Sequence, residues 1–122
     1  WSIKKPQTLS VMITGKPLTT GAPAWLTISS AREYTDTLLH QAFAKDTTDI
    51  HNAISDIAVR RGSTPLYAGI QAVSPFVNTG KELIDRVQTV REAGAEGVQF
   101  YHYGLMPLEN LSWIKEALWQ NA

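Results

Sequence analysis

The chain has 122 residues, a length that suits one domain with a modest core and falls well short of the roughly 200 residues a complete eight-stranded α/β barrel requires. Lys+Arg and Asp+Glu balance at 11 each, so no electrostatic footprint for a nucleic acid, a membrane surface or another polyanion is present. Cysteine is absent, which excludes disulfides, thiolate metal sites and a cysteine nucleophile while leaving the compartment open.

The chain opens on Trp1, which suggests a piece of something longer. Leu9 to Thr14 alternates apolar and small polar residues and stops at Gly15-Lys16-Pro17, the pattern of a short strand entering a turn. Pro17 to Pro23 is too rich in Gly, Pro and Thr for a helix and reads as an irregular loop. A second strand is expected somewhere within Ala24 to Tyr34, and a short helix around Thr37 to Phe43. A better helix is predicted from about Thr48 to Arg61, with Ile50, Ala53, Ile54, Ile57 and Ala58 on one face. Gly62 supplies its left-handed stop.

Pro65 to Val73 is an apolar run too short for a free helix and reads as a buried parallel strand. Thr79 and Glu82 have the spacing of a capping box, opening a helix whose core stripe is Leu83, Ile84, Val87 and Val90. Arg91 to Gly97 turns the chain into Val98 to Gly104, a fourth strand dense in aromatic residues. Pro107 then starts a closing helix with Leu108, Leu111, Ile114 and Leu118 inward. Helix-length crossovers between the later strands demand parallel pairing, so the expected fold class is α/β, made of parallel βα units in a single domain spanning residues 1–122. Four such strands leave an edge and a face that call for another half, a second copy or some other cover.

Ligands of parallel α/β folds lie beyond the carboxyl ends of the strands. The predicted strand-end set is Thr14 and Lys16; Glu33, Tyr34 and Asp36; Gln71; and Tyr101, His102 and Tyr103. Its polar and aromatic character suits a sugar or another hydroxylated small molecule. Tyr101 and Tyr103 filling a barrel centre is the competing reading. Glycosidic hydrolysis usually takes two carboxylates. Glu33 and Asp36 are the ones expected near a strand's carboxyl end, as acid and base or as a solvated loop pair; the other carboxylates fall in helices, caps and turns. His102 is a candidate base or substrate contact, or a packing residue. His40 and His51, read as helical, have no partner at metal-ligand spacing, and neither a phosphate loop, a nucleophile elbow nor a dinucleotide fingerprint is present, so no cofactor or metal is expected.

Pro65-Leu66-Tyr67-Ala68-Gly69-Ile70-Gln71, the turn Arg91 to Gly97 and the strand Val98 to Leu105 together resemble the last two βα units of glycoside-hydrolase-like (β/α)8 barrel proteins of bacteria, which act on surface and exported polysaccharides. Glu33-Tyr34-Thr35-Asp36 is similar to the end of the sixth strand in such proteins. The resemblance covers about half the chain and implies half of a TIM-type barrel, strands five to eight. It implies carbohydrate as ligand, Gln71, Tyr101, His102 and Tyr103 on the substrate side, and the remaining active site on a missing N-terminal half. The alternatives are a non-catalytic carbohydrate-binding or assembly module, and a half-barrel that pairs with a second copy of itself.

Overall fold

The computed structural model describes residues 10–13 and 36–120. Within them the order is β1 (Ser10–Ile13), β2 (Thr37–Gln41), α1 (Thr47–Ala58), β3 (Leu66–Gln71), α2 (Gly80–Glu92), β4 (Gly97–Tyr101), a 3-10 turn (Tyr103–Leu105) and α3 (Glu109–Gln120). The strands form one sheet in the order β1-β2-β3-β4, and every neighbouring pair is parallel. The α/β class and the alternation of strand and helix from β2 onward therefore follow the sequence pattern. The predicted loop over Pro17 to Pro23 and the strand expected within Ala24 to Tyr34 lie outside the described residues.

Thr37 to Gln41, expected to be helical, is instead a central strand paired with β1 on one side and β3 on the other. Leu38, Leu39 and His40 are consecutive and all buried. A strand buried on both faces reads as an unbroken apolar run, which periodicity alone does not separate from a helical turn, and the two neighbouring ladders decide the matter.

The core lies on one side of the sheet. Leu66, Ala68, Ile70 and Ala72 alternate along and just beyond β3 and are fully buried against Ile50, Ile54 and Ile57 of α1 and Leu83, Val87 and Val90 of α2. Each large aliphatic side chain so buried contributes about 1.5–3 kcal/mol. The α1 stripe is the predicted one; Asp46 caps the helix by accepting from the amide of Thr48 at 2.8 Å, and Gly62 takes the left-handed φ of 63° in the following turn.

At the start of α2, Thr79 accepts from the amide of Glu82 at 3.2 Å, as the capping box predicts, but the Glu82 carboxylate accepts from the amide of Asn78 at 2.8 Å, one residue outside the cap. Thr79→Ala is expected to cost about 1 kcal/mol, read as a shift of the chemical-denaturation midpoint at constant slope. An unshifted midpoint would remove the cap from the account of this helix.

The last βα unit departs from the predicted pattern in two ways. β4 ends at Tyr101, whose carbonyl accepts from the amide of Ala72; the chain then closes a 3-10 turn in which the amide of Leu105 donates to the carbonyl of His102. With β3 ended at Gln71 there is no ladder left to extend, and Tyr103 lies in the turn rather than the strand. Of the predicted inward residues of the closing helix, Ile114 packs on the core, while Leu111, Leu118 and Leu108, which just precedes α3, are exposed, Leu108 by 76%. Asn110 and Ala117 are buried, and Trp113 and Ile114 pack on the core, so the inward stripe is 110, 113, 114, 117. The Asn110 amide donates to the carbonyl of Ala72 at 2.8 Å, tying the first turn of the helix to the end of β3 on the same side on which Trp113 and Ala117 pack.

Candidate functional site

In parallel strands, residues paired in register share a face. Leu38 pairs with Leu66, His40 with Ala68, and Val98 with Ala68 in turn, which places His40 among the side chains under the helices and corrects its helical assignment. The opposite face carries Leu39, Gln41, Tyr67, Gly69, Gln71, Gly97, Gln99 and Tyr101. None of α1, α2 or α3 packs on it.

Two glycines shape that face. A Cβ on Gly97 would lie 2.6 Å from the ring of Tyr67, and a Cβ on Gly69 would lie 2.9 Å from the ring of Tyr101. Each tyrosine therefore lies across the glycine of the neighbouring strand, β3 onto β4 and β4 onto β3. The close approach requires residues without side chains at 69 and 97. Both rings are partly exposed, Gln99 between them is exposed, and Gln41 and Gln71 are partly exposed. The result is a shallow floor of aromatic rings and primary amides.

At the carboxyl ends of β3 and β4, Gln71 and Tyr101 are register partners. The Tyr101 ring meets Phe43 edge-on at a centroid distance of 5.5 Å and His102 edge-on at 4.9 Å, and Phe43 in turn lies 6.1 Å from Phe76. Residues from the ends of three consecutive units, after β2, β3 and β4, thus converge on one aromatic rim. His102 is exposed there, with its ring edge-on to Tyr101. The structure brings Gln71, Tyr101 and His102 together as expected and puts the backbone of Tyr103 just beyond them in the 3-10 turn.

Asp36 is elsewhere. It immediately precedes Thr37, the first residue of β2, so it stands at the amino end of the sheet and not at a strand's carboxyl end. The expectation for Asp36 followed from ending the second strand at Tyr34; with the strand placed at Thr37–Gln41, its direction carries Asp36 to the opposite rim from Gln71 and Tyr101. Glu33 and Tyr34, together with Thr14 and Lys16, lie outside the described residues. The described strand residues contain no Asp, Glu, Lys or Arg.

Charged groups gather behind the rim. Arg86 of α2 is only 5% exposed and donates from Nη1 to the carbonyl of Ala44 at 2.6 Å and from Nη2 to that of Lys45 at 2.8 Å. Burial lowers its pKa, opposed by the nearby Glu82 carboxylate. It pins the loop that follows β2, and with it the approach of Phe43 to Tyr101. Arg86 also lines an outer cleft of about 250 Å³ with Lys45, Asn78, Glu82 and Asp85. At the other end of the sheet, Arg61 pairs with Glu96, joining the turns before β3 and β4. A cleft of about 420 Å³ lined by Val87, Val90, Val98 and Leu118 together with Arg91 and Glu96 also reaches the start of β4, away from the rim. Among the described residues no group of His, Cys, Asp or Glu is arranged to hold a metal ion.

Gln41, Gln99 and Tyr67 were not among the predicted site residues. Gln41 falls in the segment expected to be helical, and Gln99 and Tyr67 lie within their strands rather than at the carboxyl ends. The usable signal was the two-residue spacing Tyr67-Gly69-Gln71 set against Gly97-Gln99-Tyr101.

Comparison with family models, with curated proteins and with solved structures gives no match.

Proposed function

We propose that the chain is the ligand-binding part of a glycoside-hydrolase-like parallel βα barrel, providing strands five to eight of a TIM-type arrangement and one wall of a carbohydrate cleft. The observation that carries this reading is the register pairing of Gln71 with Tyr101 at the carboxyl rim, at one end of a floor of tyrosine rings and amides. Sugars present flat C–H faces to aromatic rings and hydroxyls that both donate and accept, and a primary amide answers in both senses. The implied chemistry of the whole barrel is hydrolysis of a glycosidic bond in a polysaccharide. The described strands bring no carboxylate to the rim, so the acid and the nucleophile or base would come from other segments, Glu33 or a missing N-terminal half among them.

That same lack of a rim carboxylate favours a second reading, a module that binds a glycan without cleaving it. Oligosaccharide binding measured by calorimetry, beside a panel of aryl glycosides offered to the full-length protein, separates the two. Binding with turnover supports the barrel hydrolase, and binding without turnover supports the module. Absence of binding to any oligosaccharide would defeat both. In either case Gln71→Ala is expected to weaken binding about tenfold, since one buried amide contact is worth about 1–1.5 kcal/mol, with the melting temperature little changed. Undiminished affinity in this variant would remove the rim from the binding site.

A further inference from the structure

We infer that the outward face of α3 is a self-association surface, on which two copies of the chain pair antiparallel about a two-fold axis between Lys115 and Glu116. The inference is independent of the carbohydrate reading. Asn110, Trp113, Ile114 and Ala117 turn inward. Ser112, Lys115, Glu116 and Trp119, spaced i, i+3, i+4 and i+7, therefore share the opposite face of the helix, and all four are exposed.

Trp119 is 81% exposed, and Leu105, Leu108, Leu111 and Leu118 are exposed in the same stretch of chain. A single exposed leucine is ordinary, whereas a run of large apolar residues around an open tryptophan has the composition of a contact surface. A hollow of about 450 Å³ opens beside the indole, lined by Ser112, Lys115, Glu116 and Trp119.

The order of these four residues says what fits there. In a two-fold pairing every contact occurs twice, residue i of one copy on j of the other and j on i. An antiparallel crossing about the midpoint of residues 115 and 116 sets Trp119 level with Ser112 of the second copy and Lys115 level with its Glu116. The small serine leaves room for the indole, and each ammonium meets a carboxylate. A parallel pairing in register would instead oppose lysine to lysine and glutamate to glutamate. The Glu116 carboxylate already accepts from the Gln120 amide at 3.1 Å along the helix, and its two oxygens have room for a further donor. Burial of the two indoles supplies most of the affinity, and the charge pairs fix the orientation. Because this face points away from the core, pairing through it leaves the carboxyl rim of the sheet open.

Sedimentation of the full-length chain from micromolar to millimolar concentration tests the pairing. The wild-type chain should pass from monomer to dimer within that range. Trp119→Ala should weaken dimerisation at least about thirtyfold, since each copy loses its aromatic anchor. Lys115→Glu alone and Glu116→Lys alone should each weaken it, because like charges then face one another across the axis. Mixed together, those two variants should associate with each other more tightly than either does with itself. All three positions are exposed, and far-UV circular dichroism checks that each variant keeps its fold. A wild-type chain that stays monomeric throughout would overturn the inference whatever the variants do. Dimers indifferent to Trp119→Ala would put the contact elsewhere, the helix-free face of the sheet included, and overturn it equally. Charge variants that do not recover on mixing would overturn the antiparallel pairing about this axis.

Discussion

Arg86→Ala should destabilise the chain by about 2–4 kcal/mol, the combined effect of losing two charge-assisted hydrogen bonds and leaving a void where a long side chain was almost wholly buried. The guanidinium reaches from the middle of α2 to the carbonyls of Ala44 and Lys45, which sit between the end of β2 and the capped start of α1. Removing it frees the loop carrying Phe43 and leaves two carbonyls without these donors. Arg86→Met keeps most of the aliphatic stem and isolates the hydrogen bonds, so it should lose less than the alanine variant. Denaturant titration of both proteins checks the order. If Arg86→Ala unfolds at the wild-type midpoint, the buried cation is not what holds the loop. If it is as described, loss of the loop should also disturb the Phe43 contact with Tyr101, visible as altered tyrosine ring resonances even where the rest of the chain remains folded.

Gly97→Ala should cost about 1–3 kcal/mol and displace the ring of Tyr67 from the floor. A methyl group at this position would sit 2.6 and 2.7 Å from two ring carbons, closer than carbon atoms approach without something moving. The backbone of Gly97 is held in β4 through its pairing with β3, and the neighbouring amide of Glu96 donates to the carbonyl of Leu66 at 2.8 Å, so the ring is the part that yields. A double-mutant cycle provides the check. In a Tyr67→Leu background the ring is gone and Gly97→Ala should be markedly milder, giving a coupling energy of about 1 kcal/mol or more. Additive effects of the two substitutions would mean that the glycine is required for some reason other than the tyrosine. The reciprocal pair, Gly69 and Tyr101, should respond in the same sense, with the added effect of disturbing the rim near Gln71 and His102.

The parts of the fold legible in the sequence are those whose determinants are local. The α1 stripe, the Thr79 cap and the apolar run of β3 all lie within a few residues of the features that specify them, and each occupies its expected place; Gly62 is left-handed as expected, but α1 already ends at Ala58, short of the expected Arg61. The misread elements are those settled by distant partners. Thr37 to Gln41 has leucines that suit either state, and it is a strand because β1 and β3 flank it. The inward face of α3 is set by distant partners, the packing of Trp113, Ile114 and Ala117 on the core together with the bond from Asn110 to Ala72, residues 38 apart in the chain, and not by the leucine periodicity of the segment. Arg86 is not among the stripe residues expected for its helix, and the loop carbonyls facing it explain its burial.

For the site, the residue types and the importance of the strands' carboxyl ends are readable from sequence, since parallel βα units always expose that rim. Which residues meet there depends on register. Alternation along one strand tells which side chains share a face, but it does not say which face the helices take or which residues of the next strand stand opposite. Burial of Leu66, Ala68 and Ile70 decides the first, and the pairing of Gln71 with Tyr101 decides the second. The same two facts send Asp36 to the far rim and His40 beneath the helices, because the direction of a strand and the covered side of a sheet are properties of the assembled layers and not of any one segment.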